Sequence, residues 1–442
     1  MASDLFSIGS SGLKAARAGL EVTSQNIANA ATEGYVRRSV SLAEMAAAGG
    51  YSRLGDLSLS GVRVAGIQRN ADVFRQAEMR RTGADAARAG AELTGFENIE
   101  AALDQSNVFP AMTAFEGSLQ RLLADPVDPS LRAAVLEDAR TAARTFNIAA
   151  DALDNVGKGL RFEASDAAAQ VNGLASELAR VNLQLNRTAA GTSDQTMLLD
   201  QRDQLMQQLS GLADIATTIG ADQTVEVRIG GAPLVQGGSA KTFAMAAAGD
   251  GTISFTLDGA PVTVSSGSLA GKALALVAVR DNKIALDDIA DNLVTATNGA
   301  QTAGAALDGS AGQPLFSGSG AAGIALALTS GSQLATSPAG AGPGSRDTAN
   351  LEALRSALTG AGVADDLDGM LFAVSSGVAG RKTTAQALDS ISSAARIAFE
   401  QQSGVDLDQE AANLVRFQQA FQACGKAIQI ASDCFDTLLA LK

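Results

Sequence analysis

Near the N-terminus, Phe6, Gly9, Leu13, Ala16, Leu20, Thr23, Ile27 and Ala30 follow one another at alternating steps of three and four residues, the spacing of a heptad seam on an α-helix. Large residues take one seam position and small ones the other, so a partner helix can approach closely. At the far end Leu407, Glu410, Leu414, Phe417, Phe421, Cys424, Ile428, Ala431, Phe435 and Leu438 keep the same alternation, with Glu410 the one charged member. Asp406 and Gln409 are spaced as a capping box at its start, and Gly404 marks the break before it. Two compatible seams at opposite ends of one chain predict mutual pairing, antiparallel if both helices emerge from the same central body. The expected interface comprises Phe6, Leu13, Leu20 and Ile27 on one side and Leu414, Phe417, Phe421, Ile428, Phe435 and Leu438 on the other. The same pattern also fits core helices of a self-contained bundle. Across from the second seam, Gln419, Gln422, Lys426, Gln429, Asp433 and Asp436 form a polar, lightly charged stripe that suits a water-filled bore as well as an ordinary solvated face.

From residue 71 to about 212 the period is helical, with breaks expected at Pro110, at DPVDPS (residues 125–130) and around Gly191. Between Leu42 and Ile67 the alternating run LSLSGVRVAGI predicts a small hairpin or extended excursion. From Thr217 to Ser268 the period changes to two, in TVEVRI, TISFTL and PVTVS, and the Asp258-Gly259 pair between alternating runs is a strong hairpin signal. Helices return over about 271–303 and 348–402, and the Gly-, Ala- and Ser-rich stretch 303–345 reads as loops with a few strands. The expected fold class is mainly α with an inserted β domain, the N- and C-terminal helices forming an antiparallel coiled coil, and the domains discontinuous and nested. Residues 1–36 and 403–442 form the terminal coiled-coil domain in this reading. Residues 37–215, 270–303 and 345–402 form a helical domain, and 216–269 with 304–344 an outer β-rich domain with loops.

Composition narrows the chemistry. The 442 residues are 46% hydrophobic but only 4% aromatic, without Trp, so cores must be filled by Ala, Leu, Val and close backbone approach. A formal charge of −14 argues against nucleic acid, whose phosphates demand clustered Lys and Arg. Asp4 stands where a Sec signal peptide wants positive charge, and no apolar run approaches the ~20 residues of a membrane helix. Cys424 and Cys434 sit on one expected helix, ~15 Å apart along its axis, too far for a disulfide. The chain has no His, which removes the commonest metal ligand and general base. No catalytic, cofactor-binding or metal site is expected. GSGAAG at Gly318, Gly320 and Gly323 has the letters of a dinucleotide fingerprint but not the strand and helix around it. Asp406, Asp408 and Glu410 lack the Gly and distal Glu of a calcium loop.

The segment NIANAATEGYVRR, residues 26–38, reads as a helix stop: Asn29 ends the helix, Thr32 caps a turn, Gly34 permits a positive φ and Tyr35 starts an extended run. It closely resembles the N-terminal signature of the flagellar rod, hook and hook-associated proteins, with Asn26, Asn29, Thr32, Gly34 and Tyr35 on the patterned positions. The C-terminal segment SGVDLDQEAANLVRFQQAFQACGKAIQIASDCFDTLLAL resembles the matching end of that family, through Asn413, Phe417, Gln418, Gln419, Phe421, Gln422, Ala423 and Phe435. LLDQRDQLMQQLS (198–210) and the stretch 267–298 agree in the interior and point to the hook-associated branch, with a hook or distal rod protein as the alternative. Cys424 and Cys434 depart from the family pattern, and the short length suggests a reduced or missing outer domain. The resemblance implies a non-enzymatic subunit exported unfolded by the flagellar type III apparatus without a cleaved signal, then assembled outside the cell at the hook-filament junction. The terminal domain would then line the inner tube. Implied partners are further copies in a tubular ring, the hook protein, hook-associated protein 3, and an export chaperone at the C-terminal helix; neither nucleic acid nor membrane is expected. The terminal helices are expected to be loose in the monomer and to order when neighbouring subunits cover them.

Overall fold

The computed structural model describes residues 2–32, 34–46 and 59–440. Among these the chain is mainly helical, with several small sheets. The helices are α1 (Ala2–Ala28), α2 (Val73–Ser106), α3 (Val108–Leu122), α4 (Pro129–Leu185), α5 (Ser193–Leu212), α6 (Gly267–Thr302), the short α7 (Gly320–Gly323), α8 (Ala349–Ala361), α9 (Val363–Ser403) and α10 (Leu407–Ala440). Local chemistry explains several of their ends. Asp128 caps α4 by accepting from the amides of Ser130 and Leu131 at 2.7 and 2.9 Å, and Pro129 takes the first helical position, where a missing N–H costs nothing. Thr192 caps α5 through the Gln195 amide at 3.2 Å. Gly362, with φ 67°, separates α8 from α9. The break between α2 and α3 falls at Asn107, in the left-handed region at φ 56°, rather than at Pro110, which the first turn of α3 accommodates.

The chain divides into two compact units, one made of Met1–Ala84, Val171–Thr242 and Asp389–Lys442, the other of Asp85–Gln170 and Phe243–Leu388. In the first unit β1 (Arg38–Ala46) and β2 (Leu59–Arg69) pair antiparallel, with register shifts after Ser41 and Glu44; the connection between them lies outside the described residues. Four further strands, β3 (Ala216–Ile219), β4 (Val225–Ile229), β5 (Ala232–Gln236) and β6 (Ser239–Ala240), form an antiparallel meander in sequence order. Asn182 of α4 ties this sheet to the helix. Its Nδ2 donates to the carbonyls of Val225 and Gly237 and its Oδ1 accepts from the Val225 amide, all at 2.8–2.9 Å, so a fully buried amide is fully satisfied.

The second unit holds a continuous apolar core in which Ile99, Phe115, Leu119 and Phe146 meet Leu286, Leu293, Phe316 and Leu354. Phe115 and Phe316 pack edge to face at 6.1 Å. Strands β7 (Phe243–Ala247), β8 (Ile253–Leu257) and β9 (Ala260–Val262) form their own antiparallel sheet. The Asp258-Gly259 turn has φ 48° and 83°, both positive as a type I′ hairpin requires. The period-two run of residues 217–268, which suggests one β insert, is therefore two sheets in two units. Alternation identifies strands but not which strands share hydrogen bonds. Four two-residue strands complete the set: β10 (Gly304–Ala305) pairs with β13 (Ser337–Pro338), and β11 (Phe316–Ser317) with β12 (Ala325–Leu326).

Two details bear on function. At α7, within GSGAAG, the Gly320 amide donates to Asp291 and the Ala321 amide to Asp287, both at 2.7 Å. Carboxylates of α6 thus occupy the amides that a nucleotide phosphate would need. No helix among the described residues is long and apolar enough to cross a membrane.

Arg132 is the largest fully buried side chain. It donates to the carbonyls of Pro126, Gly331 and Leu334 and to the Thr336 hydroxyl, at 2.5–3.0 Å. No sequence pattern announces this clamp between the DPVDPS turn and the Gly-rich segment. Arg132→Met removes the side-chain donor of the Pro126 and Leu334 carbonyls, while the Gly331 carbonyl keeps the Leu334 amide; it should cost about 2 kcal/mol or more, read as a lowered urea midpoint, and a loss under about 1 kcal/mol contradicts the clamp's structural role.

Candidate functional site: the terminal helices and their polar hub

The signature stretch folds as a stop. The Asn29 amide and side chain both donate to the Gln25 carbonyl, at 3.0 and 2.9 Å, and the Thr32 amide turns back to the Asn29 carbonyl at 2.9 Å. Gly34 has φ 75°, and a Cβ there would strike the Gln204 side chain, so glycine is required twice over. The chain then returns along α1. Asn26 accepts from the Tyr35 hydroxyl at 2.8 Å and the Arg38 amide at 3.0 Å, and donates to the Arg38 carbonyl at 2.8 Å.

From this stop grows a buried ionic hub. Glu410, on the first turn of α10 and 1% exposed, accepts from Arg37 Nε at 2.7 Å and from Asn26 Nδ2 at 3.2 Å. The Arg37 amide donates to the Ser403 carbonyl at 2.9 Å. On the other side Arg38 reaches Asp200 at 2.8 Å, and Arg69 contacts both Asp200 and Asp203 at 2.8 Å. Arg202 and Gln76 complete the shell of Asp203, at 2.7 and 2.9 Å. The interior motif LLDQRDQL thus supplies the carboxylates that hold the two arginines flanking the β1–β2 pair. Burial raises the Tyr35 hydroxyl above its usual range, partly offset by the Arg38 guanidinium that stacks over its ring at 4.9 Å. Burial likewise pushes Asp200 up, against the pull of Arg69 and Arg38. For Asp203, burial works upward, but Arg202 and Arg69 outweigh it and hold the carboxyl below the usual range.

Beyond the hub, α1 and α10 lie antiparallel at close range. A Cβ added at Gly9 would fall 2.7 Å from Ile428 Cγ1, one at Gly12 2.7 Å from Cys424 Sγ, and one at Gly19 2.5 Å from the Phe417 ring. Among the described side chains of α1, Gly9, Ala15, Ala16, Gly19, Val22, Thr23 and Asn26 are buried. Leu13, Leu20 and Ile27 are half-buried beside them, and Phe6 is 53% exposed. On α10 Leu414, Phe417 and Ile428 are half-buried, while Phe421 and Phe435 are exposed, Phe435 by 55%; the Leu438 side chain lies outside the described residues. Every member of the polar stripe, Gln419, Gln422, Lys426, Gln429, Asp433 and Asp436, is exposed. Strand β2 also meets α1, where the Val62 amide donates to Ser11 Oγ at 3.2 Å.

The sequence reading missed Gly12 and Gly19 as contact points and missed Arg37, Arg69, Asp200 and Asp203 altogether. The signal for the glycines is there: Gly12 and Gly19 are one heptad apart. A cleft of about 440 Å³ opens beside the hub, lined by Gln25, Tyr35, Arg38, Met197, Asp200 and Gln204 among others. Among the described residues no group of three or more His, Cys, Asp or Glu could hold a metal ion. The hub positions the start of α10 against the end of α1 and the signature turn.

The comparisons agree with that reading. Residues 6–35 match the family model for the flagella basal body rod protein, and residues 398–441 the model for the flagellar basal body rod FlgEFG protein C-terminal. These two ends define a protein of the flagellar axial class. Residues 93–316, half of the chain, match the flagellar hook-associated protein FlgK helical domain, and the chain belongs to that family of structural, non-enzymatic flagellar proteins. Flagellar hook-associated protein 1 of Salmonella typhimurium is 31% identical over 254 residues, covering 55% of this chain and 44% of that protein. The Bacillus subtilis protein of the same name is 25% identical over an alignment of 488 positions, covering 97% and 96%. The chain thus spans under half the length of one relative and nearly all of the other. The flagellar hook junction protein FlgK from Burkholderia pseudomallei has a similar fold, with TM-score 0.50 and 21% identity over 54% of this chain and 46% of that one.

Two outcomes follow from the geometry. Gly19→Leu drives a side chain into Phe417 and should loosen the α1–α10 pair by about 1–3 kcal/mol, seen as faster amide exchange along α1; unchanged exchange contradicts the close approach. Asp203 has a depressed folded pKa, so its stabilisation is present above the ordinary carboxylate range and is lost as pH falls through the depressed value. Urea midpoints between pH 7 and pH 3 should therefore fall less steeply in Asp203→Asn than in the parent, and equal slopes contradict the assignment.

Proposed function

We propose that this chain is a structural subunit of the bacterial flagellum, acting outside the cell at the hook-filament junction, where rings of its copies join the hook to the filament. The observation that carries the reading is the apolar surface left on helices whose other face is already taken. Leu5, Phe6 and Ile8 on α1 and Leu407, Val415, Ile430 and Phe435 on α10 are exposed, Ile430 by 61%. Exposed apolar side chains gathered at the two helices in this way point to an interaction surface. In this reading residues 1–36 and 403–442 form an antiparallel coiled coil lining the inner tube, with Phe6, Leu13, Leu20, Ile27, Leu414, Phe417, Phe421, Ile428, Phe435 and Leu438 shared between the pair and its neighbours. The remaining segments form the helical and outer domains in the nested arrangement, and the hydrated stripe of α10 faces the bore.

The hook protein is the partner on one side and hook-associated protein 3 on the other, with further copies of this chain laterally. Export from the cytoplasm through the type III route, without a cleaved signal, requires the exposed apolar seam of α10 to be covered meanwhile, which is the task of an export chaperone. The match of both ends to rod-type models supports a hook or distal rod protein as the second reading, but the helical-domain match favours the junction. Deleting the gene distinguishes them. The junction role predicts hooks that form while filament subunits accumulate in the medium; hooks bearing normal filaments contradict it, and loss of the hooks themselves favours the second reading.

A further inference from the structure

The α1–α10 contacts are spaced by heptads on both helices. Gly12, Gly19 and Asn26 lie seven residues apart, and so do their partners Cys424, Phe417 and Glu410. The first two pairs place a glycine against a larger side chain, an arrangement a slide of one heptad would reproduce: Gly12 would then meet Ala431 or Phe417, and Gly19 would meet Cys424 or Glu410. Glycines thus permit close approach without choosing an alignment. The third pair differs in kind. Glu410 is 1% exposed and is met by Asn26 Nδ2 and Arg37 Nε, and a slide in either direction leaves that carboxylate or its donors buried without partners. A single polar residue in an apolar seam is the best-attested way to specify register.

We infer that Glu410, through Asn26 and Arg37, sets the register of α10 on α1, and that the glycine-lined contact supplies proximity without alignment. The inference concerns the pairing within one chain and holds whether or not the protein sits at a flagellar junction. It makes Glu410 a positioning residue whose removal shifts the helices instead of merely loosening them.

The native cysteine provides a reporter. A Cβ at position 12 would lie 3.8 Å from Cys424 Cβ, the usual separation in a disulfide, ~3.8 Å. Full-length Gly12→Cys/Cys434→Ser reports the native register by oxidation and peptide mapping. Full-length Gly12→Cys/Ala431→Cys/Cys424→Ser/Cys434→Ser reports the slipped one. With Glu410 present, the 12–424 crosslink should form and the 12–431 crosslink should not. Adding Glu410→Leu should lower the native-to-slipped yield ratio by about tenfold or more, since a buried carboxylate no longer penalises the slip. Glu410→Gln keeps one acceptor oxygen, enough for Arg37 or Asn26 but not both, and should retain more of the native register than Glu410→Leu. An unchanged ratio in Glu410→Leu overturns the inference. So does loss of both crosslinks, which would make Glu410 a fastener rather than an aligner, and so does failure of the 12–424 crosslink in the parent.

Discussion

The buried carboxylate of Glu410 is the constraint on which the terminal part of the structure depends. It joins three remote pieces of chain: the end of α1 through Asn26, the signature turn through Arg37, and the start of α10. A charge this deep is tolerable only when its donors are in place, so the seating of α10 is coupled to the fold-back of the signature on α1. Asn26 carries the same logic inward, because its side chain is shared among Tyr35, Arg38 and Glu410. The arginines that follow are held in turn by Asp200 and Asp203. The result is a joint whose polar groups fix direction, while the helices leaving it are held by apolar and glycine contacts.

That division of labour suits the proposed role of a subunit added to a growing tube. The joint's specificity lies inside the chain, where Asn26 serves both Glu410 and the Arg38 carbonyl and the arginines meet buried carboxylates. The outward surface of α1 and α10 carries exposed apolar side chains, the surface that neighbouring copies cover in the proposed role. Small residues at Gly9, Gly12 and Gly19 let the two helices sit close together. They keep the pair narrow, as the proposed tube wall requires. Low aromatic content and abundant Ala and Gly in the composition are the bulk expression of the same requirement.

Much of this was legible in the sequence, and the part that was not has a physical reason. Periodicity gave helix and strand because it reports which face of a segment is buried, and the Asp258-Gly259 turn was readable because its backbone needs two positive φ values. The signature turn was readable at Gly34 for the same reason. The partition of residues 217–268 into two sheets was hidden, because alternation is identical whichever sheet a strand joins. The hub was hidden more deeply: Asp200 and Asp203 lie on a helix whose sequence distance from Arg38 and Arg69 leaves no local pattern to read. Glu410 was visible only as a blemish in an apolar seam. Its meaning required the structure, which showed that the blemish is a matched pair.

The account stands on the claim that the paired terminal helices present an apolar surface that other copies complete. Hydrogen exchange on α1 and α10, compared between the monomer and assembled junction rings, measures this directly. The account predicts that amides along both helices become markedly more protected on assembly, together with a gain of helical circular dichroism. Equal protection in the two states would contradict it.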